Sequence, residues 1–298
     1  EVVEFYDKLI DCFGDDLWMG LNGELSADPE YEPTGNQMLS HFLGIVGQDQ
    51  DQFGSLWKYV VENSEYKDKN DKPFTPFSSQ LESIRNGMSL VLNPTLYNRV
   101  NDAIYRTQQK HSDPYVKQRP PIHNLITLLG GPGSGKSSAV GRAIRLMVNA
   151  LGGEVILSAE TKTQLDNLVA NVDGNISHST KIQLGDLLTE IGFEQNKHIK
   201  VNENNGDYWL SLSESFASKG FNRFNPESKP KVLIIDEFTY VNGPAIQALA
   251  MTAVASGFTI IGLGDDAQNS LEVEIVDGDK TKTYPSEIHD VLVHTSPY

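Results

Sequence analysis

The apolar positions along the chain fall into two regimes. Over residues 1–112 they recur at intervals of three and four: Val2, Val3, Tyr6, Ile10 and Phe13, then Met38, Leu39, Phe42, Leu43 and Val46, then Phe53, Leu56, Trp57, Val60 and Val61. That spacing puts side chains on one face of a helix, so this part is expected to be mainly α-helical. Residues 66–77 carry three lysines, two prolines and two aspartates and read as a solvated loop. Asn93-Pro94-Thr95 reads as a helix start, since proline has no amide hydrogen to lose in the first turn. Leu96, Val100, Ala103 and Ile104 then share a face. Residues 111–121 are rich in breakers, which places a boundary between an accessory region, 1–112, and a second domain, 113–298.

From residue 122 short apolar runs alternate with longer helical patterns. Strands are expected at Ile122–Leu129, Glu154–Ser158, Val232–Ile235 and Phe258–Leu263, and helices at Lys136–Leu151, Thr161–Val172 and Ala245–Val254. Such alternation implies right-handed βαβ units and a parallel sheet covered on both faces, an α/β fold. Phe238 to Gly264 runs for 27 residues without a charge, long enough to span a membrane. Asn242-Gly243-Pro244 and Ser256-Gly257 interrupt it, so it reads as a buried helix followed by a buried strand. Leu271, Val273 and Ile275 alternate with acids before Asp277-Gly278-Asp279, the pattern of a β-hairpin.

Charge and composition narrow the picture. Of 298 residues 24 are basic and 40 acidic, a net charge of −16. Residues 1–51 contribute −11 of this, with twelve acids against Lys8 alone. The imbalance argues against a generic nucleic-acid coat but does not bar a local basic groove. A hydrophobic share of 39% is enough for a core. A single cysteine, Cys12, excludes an internal disulfide framework and a multi-cysteine zinc site, and suggests an intracellular setting. Residues 1–16 are acidic where a secretory signal is basic, and the chain starts at Glu1, as an excerpt or processed product would.

Gly130-Gly131-Pro132-Gly133-Ser134-Gly135-Lys136-Ser137 fits Gly-x4-Gly-Lys-Ser, after an apolar strand and before a helix. Glycines there let backbone amides turn toward phosphate oxygens, and the helix start adds partial positive charge. Gly131, Pro132, Gly133, Ser134, Gly135, Lys136, Ser137 and Ser138 are therefore the candidates for holding ATP or another nucleoside triphosphate. Lys136 would neutralise the β- and γ-phosphates, and the Ser137 hydroxyl would face Mg²⁺. Lys231-Val-Leu-Ile-Ile-Asp236-Glu237 is an apolar strand ending in two carboxylates, where α/β sheets bind ligands. Asp236 is a candidate Mg²⁺ ligand and Glu237 a candidate base for the attacking water. An acidic pair that merely caps the next helix is the plainer alternative. A third apolar strand ends in Gly264-Asp265-Asp266-Ala267-Gln268. The Gln268 amide could touch the γ-phosphate and report nucleotide state, although the bare pattern also suits a turn.

In this order the glycine-rich loop, Asp-Glu and Gly-Asp-x-x-Gln resemble motifs I, II and III in the first RecA-like domain of superfamily 1 helicases. Ser158-Ala159-Glu160-Thr161-Lys162 resembles motif Ia, and Ser179-Thr180-Lys181 is a candidate for motif Ib. The resemblance covers residues 122–298. It implies a RecA-like P-loop fold, Mg²⁺-dependent hydrolysis by Lys136, Glu237 and Gln268, and contacts from Thr161 and Lys162 to single-stranded DNA or RNA. Thr161 also suits a simple helix cap. The family's second RecA-like domain, with its arginine finger, would follow Tyr298. Two departures stand out. Motif II continues with Phe238 where the family has a small residue, and the upstream glutamine that reads adenine is missing from Leu92–Tyr97. A P-loop kinase and a degenerate ATPase scaffold are the rival readings. A kinase should carry an arginine-rich lid, yet residues 243–298 hold no arginine. The acidic N-terminal region could dock a protein partner or shield the RecA-like domain.

Overall fold

The computed structural model describes residues 51–64, 72, 75–111, 121–173, 179–201, 208–210, 219–265, 272–277 and 280–285. The helical patterns expected over residues 1–50, the linker 112–120 and Gln268 lie outside them.

Five parallel strands form the sheet: β1 (Leu125–Leu129), β2 (Glu154–Ala159), β3 (Thr180–Gln183), β6 (Lys231–Ile235) and β7 (Thr259–Gly264), in the order β1-β7-β6-β2-β3. The apolar runs of β1, β2, β6 and β7 follow from burial on both faces of a covered parallel sheet, whereas the edge strand β3 leaves Lys181 and Gln183 exposed. The sheet places the ends of β1, β7, β6 and β2 side by side. Two antiparallel pairs lie apart from it, β4 (Ile199–Val201) with β5 (Tyr208–Leu210), and β8 (Glu272–Asp277) with β9 (Lys280–Pro285). The second is the hairpin expected around Asp277-Gly278-Asp279. The fold is thus the expected α/β RecA-like P-loop architecture, preceded by helices.

One face of the sheet is covered by α4 (Arg142–Ala150) and α5 (Lys162–Asp173), together with the N-terminal helices α1 (Asp51–Asn63), α2 (Ser78–Leu92) and α3 (Pro94–His111). Val60, Ile84, Met88 and Val100 from α1–α3 share a buried cluster with Ile126, Ile144, Leu157, Ile234 and Ile261. The apolar core therefore crosses the 112/113 division. Helix α2 packs against α4 at Gly87, where a Cβ would stand 2.5 Å from Ile144 Cδ1. At the back of the sheet, Asn98 and Asn124 exchange two hydrogen bonds of 2.7 and 3.0 Å that tie α3 to the start of β1.

Helices α6 (Leu184–Glu190) and α8 (Gly243–Ser256) cover the other face; the short α7 spans Gln195–His198. Leu187, Ile246, Leu249 and Phe258 pack there with Leu125, Ile156, Leu233 and Ile260. The uncharged stretch from Phe238 to Gly264 is a short 3₁₀ turn, α8 and β7. Asn242 caps α8 by accepting from the Ala245 amide at 2.9 Å, and Gly257 ends it in the left-handed conformation. Among the described residues no helix is long and apolar enough to cross a membrane.

Helices α4 and α5 are clamped by a buried ion pair. Arg145 Nε lies 2.6 Å from Asp173 Oδ1, with both side chains about 5% exposed. Ser179 completes the pair, donating its hydroxyl to Asp173 Oδ1 at 2.7 Å and its amide to Oδ2 at 3.0 Å. Satisfying both carboxylate oxygens is what makes a charge in this position tolerable.

Candidate nucleotide site

The glycine-rich loop bridges β1 and the helix that ends as α4. Its opening is held to the sheet, because the Gly130 amide donates to the Gly264 carbonyl at 3.2 Å and so extends the β1–β7 ladder. Gly133 and Gly135 then adopt φ of +77° and +84°, a region that side chains with a Cβ resist. Residues Lys136–Gly141 are wound as a π-helix before α4 begins. The Gly135 carbonyl accepts from both Ala139, at 2.8 Å, and Val140, at 3.2 Å, which widens the first turn. Such wide turns are frequent at functional sites.

Lys136 folds back over this loop. Its ammonium donates to the Gly130 carbonyl, to the Gly131 carbonyl at 3.1 Å and toward Ser134 Oγ at 3.4 Å. The positive charge therefore stands above the loop. Gly131, Pro132, Gly133 and Ser134 are exposed, whereas Gly135, Lys136, Ser137 and Ser138 are half-buried at the helix start.

Asp236 and Glu237 follow β6, whose neighbours in the sheet are β7 and β2. The Asp236 amide donates to the Ser158 carbonyl at 2.9 Å, continuing the β6–β2 ladder by one residue. Glu237 sits at φ 52°, ψ 38°, and opens the turn Phe238–Tyr240. A left-handed glutamate costs on the order of 1–3 kcal/mol and persists only where its surroundings impose it.

The electrostatics bind these pieces into one site. Burial pushes the Asp236 carboxyl up from its ordinary value, and a Glu237 backbone bond and the Lys136 charge oppose this. Glu237 is also raised, first by burial and then by the negative charge of Asp236, while Lys136 pulls it down. Asp265 and Glu160 add to the rise. Lys136 thus acts on both carboxyls, and four acids from the ends of β2, β6 and β7 share one field.

Hard oxygen donors suit Mg²⁺, and the Ser137 hydroxyl and Asp236 carboxylate are the donors this site offers. A cation there would relieve the penalty that burial places on the Asp236 charge. Among the described residues no three ligating side chains form a cluster. Any such ion would complete its shell with phosphate oxygens and water.

Thr161 and Lys162 stand exposed just beyond the end of β2, next to Asp236 across the sheet. Thr161 forms a reciprocal cap with Gln164. Its amide donates to Gln164 Oε1 at 2.9 Å, and its hydroxyl accepts the Gln164 amide at 3.2 Å. The helix-cap role foreseen for Thr161 is therefore filled, and the Thr161 amide itself is committed to Gln164.

A glutamine does reach the phosphate loop, but from upstream of the Leu92–Tyr97 window. Gln80, at the start of α2, donates through Nε2 to the Ser134 carbonyl at 2.6 Å while its Oε1 accepts the Phe77 amide at 2.9 Å. Helix α2 is not among the elements expected from the sequence, although Leu81, Ile84, Met88 and Val91 do stand at helical spacing. Nothing in that spacing points to the loop 54 residues further on. Glu160 and Asp265 were likewise not singled out, although each directly follows a strand.

No curated protein matches the chain. A family model described as AAA domain matches residues 121–274, just over half of the chain, and covers the phosphate loop and all five strands of the sheet but not α2 with Gln80. The chain therefore belongs to this AAA domain family of P-loop nucleoside triphosphatases.

Proposed function

We propose that the chain is the first motor domain of a superfamily 1 helicase or translocase. It would couple Mg²⁺-dependent ATP hydrolysis to movement along single-stranded DNA or RNA once a second RecA-like domain follows Tyr298. The observation that carries this reading is the order of strand ends along one edge of the sheet. The phosphate loop follows β1, Asp265 follows β7, Asp236-Glu237 follow β6 and Thr161-Lys162 follow β2. The turn proposed to contact the strand and the proposed hydrolytic site thus follow neighbouring strands, which supports coupling between them.

In this mechanism the loop amides and Lys136 would hold the β- and γ-phosphates, and Ser137 and Asp236 would hold Mg²⁺. The metal supplies charge neutralisation of the phosphates when bound. Glu237 accepts a proton from the water that attacks the γ-phosphorus. The bond to the β-phosphate oxygen breaks, leaving ADP and inorganic phosphate. Gln268, just past Asp265, would sense the γ-phosphate. The pKa of Glu237, raised first by burial and then by Asp236, makes it a stronger base than an ordinary carboxylate.

Lys162, just past β2, and Lys181, the second residue of β3, provide exposed positive charge for strand phosphates. Lys181 is 55% exposed and shares its charge with Asp166 at 3.4 Å. An arginine finger from the second domain would be worth roughly 10³–10⁵ in turnover. The isolated chain is therefore expected to bind Mg-ATP and to hydrolyse it slowly.

The test is an ATPase and filter-binding assay on a chain extended beyond Tyr298, with and without single-stranded DNA or RNA. Strand-stimulated turnover, reduced by Lys162→Ala, is the expected result. Turnover indifferent to either strand would overturn the motor reading.

A further inference from the structure

We propose that Phe238 is a positioning residue for Glu237, and that the missing side chain at Gly262 is what lets it act. The inference rests on the reading of Glu237 as the carboxylate that handles the attacking water.

Glu237 is left-handed, and its surroundings must impose that conformation. On one side, Asp236 is tied to β2 through the Ser158 carbonyl. On the other, the turn closes with the Tyr240 amide on the Glu237 carbonyl at 3.0 Å and the Val241 amide on the Phe238 carbonyl at 3.1 Å. What anchors this turn to the sheet is Phe238, whose side chain is 0% exposed. A Cβ on Gly262 would stand 2.5 Å from Phe238 Cγ, 2.6 Å from Cδ1 and 3.1 Å from Cβ. The ring therefore rests directly on the β7 backbone.

The seat is a rigid one. Gly262 pairs with Ile235 of β6 and Thr127 of β1, so it lies on a strand bonded on both sides. The contact involves the root of the phenylalanine side chain, which no rotation about its outer bonds relieves. Thr239 repeats the arrangement one step on, since a Cβ on Gly264 would stand 2.6 Å from its methyl group. Two successive residues of the turn thus sit on two alternate glycines of β7. The large residue after Asp-Glu, where the helicase pattern has a small one, is matched by glycine on the adjacent strand. Any group added at Gly262 must lift Phe238, and with it Glu237.

The experiment measures single-turnover hydrolysis of radiolabelled Mg-ATP and, separately, the Kd for Mg-ADP, using the full chain. The variants are Gly262→Ala, Phe238→Leu, Gly262→Ala with Phe238→Ala, and Glu237→Gln. Gly262→Ala is expected to lower the hydrolysis rate about 10- to 100-fold, the scale of a misplaced catalytic group. Its Kd should stay within about twofold of the wild type, because the nearest atoms that a Cβ on Gly262 would meet all belong to Phe238 and none to the phosphate loop. The double variant should recover part of the rate, as the new methyl group refills the space of the lost ring. Phe238→Leu, which keeps an apolar filler, should lose rate with Kd unchanged. Wild-type hydrolysis by Gly262→Ala, or a parallel loss of rate and affinity in both single variants, would overturn the inference while Glu237→Gln remains inactive. Wild-type hydrolysis by Glu237→Gln would instead remove the reading of Glu237 and the inference with it.

Discussion

The Gln80 side chain donates to the Ser134 carbonyl at 2.6 Å and so fastens helix α2 to the middle of the phosphate loop. Its other amide atom accepts the Phe77 amide, which fixes the start of α2. One glutamine therefore joins the N-terminal helices to the loop. By engaging the Ser134 carbonyl from the α2 side, it holds the loop from outside while the Ser134 amide closes onto the Gly131 carbonyl within it. Crowding is tight here, since a Cβ on Gly135 would stand 2.6 Å from Gln80 Nε2.

Gln80→Ala should weaken Mg-ATP binding by the worth of one hydrogen bond, about 0.5–1.5 kcal/mol, or roughly 2- to 12-fold in Kd. Gln80→Glu should weaken it further. It keeps an acceptor for the Phe77 amide but turns an oxygen toward the Ser134 carbonyl and adds negative charge beside the phosphates. Calorimetric titration distinguishes the three proteins, and equal affinities would refute a role for Gln80 at the loop.

The hydrolysis rate should fall off with acid at a higher pH than an ordinary glutamate would dictate. Glu237 must be ionised to accept a proton. Burial, Asp236, Asp265 and Glu160 all raise its pKa above the usual value near 4.3. More of it is therefore protonated at any given mildly acidic pH. The acid limb of kcat against pH should lie above that value, and a limb at or below about 4 would contradict the electrostatics described.

Asp236→Asn should stabilise the ligand-free protein at neutral pH. The folded-state pKa of Asp236 is raised, chiefly by burial. Its contribution to stability is therefore greatest below the unfolded-state pKa and is lost as pH rises through the folded one. At neutral pH the charge is a cost, which the amide removes. Thermal melts should show a higher Tm for Asp236→Asn without ligand and a smaller gain on adding Mg-ATP. A lower ligand-free Tm would show that the charge is satisfied in the fold.

The Arg145–Asp173 pair should respond asymmetrically to substitution. Arg145→Ala strands a buried carboxylate and should cost about 3–5 kcal/mol. Arg145→Met combined with Asp173→Leu removes both charges and should lie much closer to the wild type. Urea denaturation measures both, and equal losses in the single and double variants would contradict the ion-pair account.

What the sequence revealed and what it concealed divide along physical lines. Four of the five sheet strands were legible because burial on both faces forces uninterrupted apolar runs such as Val232–Ile235. The edge strand β3, Thr180–Gln183, has only Ile182 buried and carries no such run. The loop from Gly130 to Ser137 was legible because its glycine spacing and flanking elements are local. The 27 uncharged residues resolved into α8 and β7 through breakers at Asn242-Gly243-Pro244 and Ser256-Gly257. Long-range contacts left no comparable trace. Helix α2 has ordinary amphipathic spacing, and Gln80 differs from any surface glutamine only through a loop 54 residues away. Phe238 looked like a departure from the helicase pattern until Gly262, on the neighbouring strand, supplied the room for it. The short pair β4 and β5 has only three residues per strand, too few for alternation to register. Gln268 lies outside the described residues, and its part in the site rests on the sequence.

The account depends most on the phosphate loop being a nucleotide site, and Lys136 is its most direct probe. Its ammonium already spans the carbonyls of Gly130 and Gly131. Isothermal titration of Mg-ATP should give saturable binding to the wild-type chain and no measurable binding to Lys136→Ala, with unchanged melting of the ligand-free proteins. Equal affinity of the two for Mg-ATP would contradict the assignment of the site.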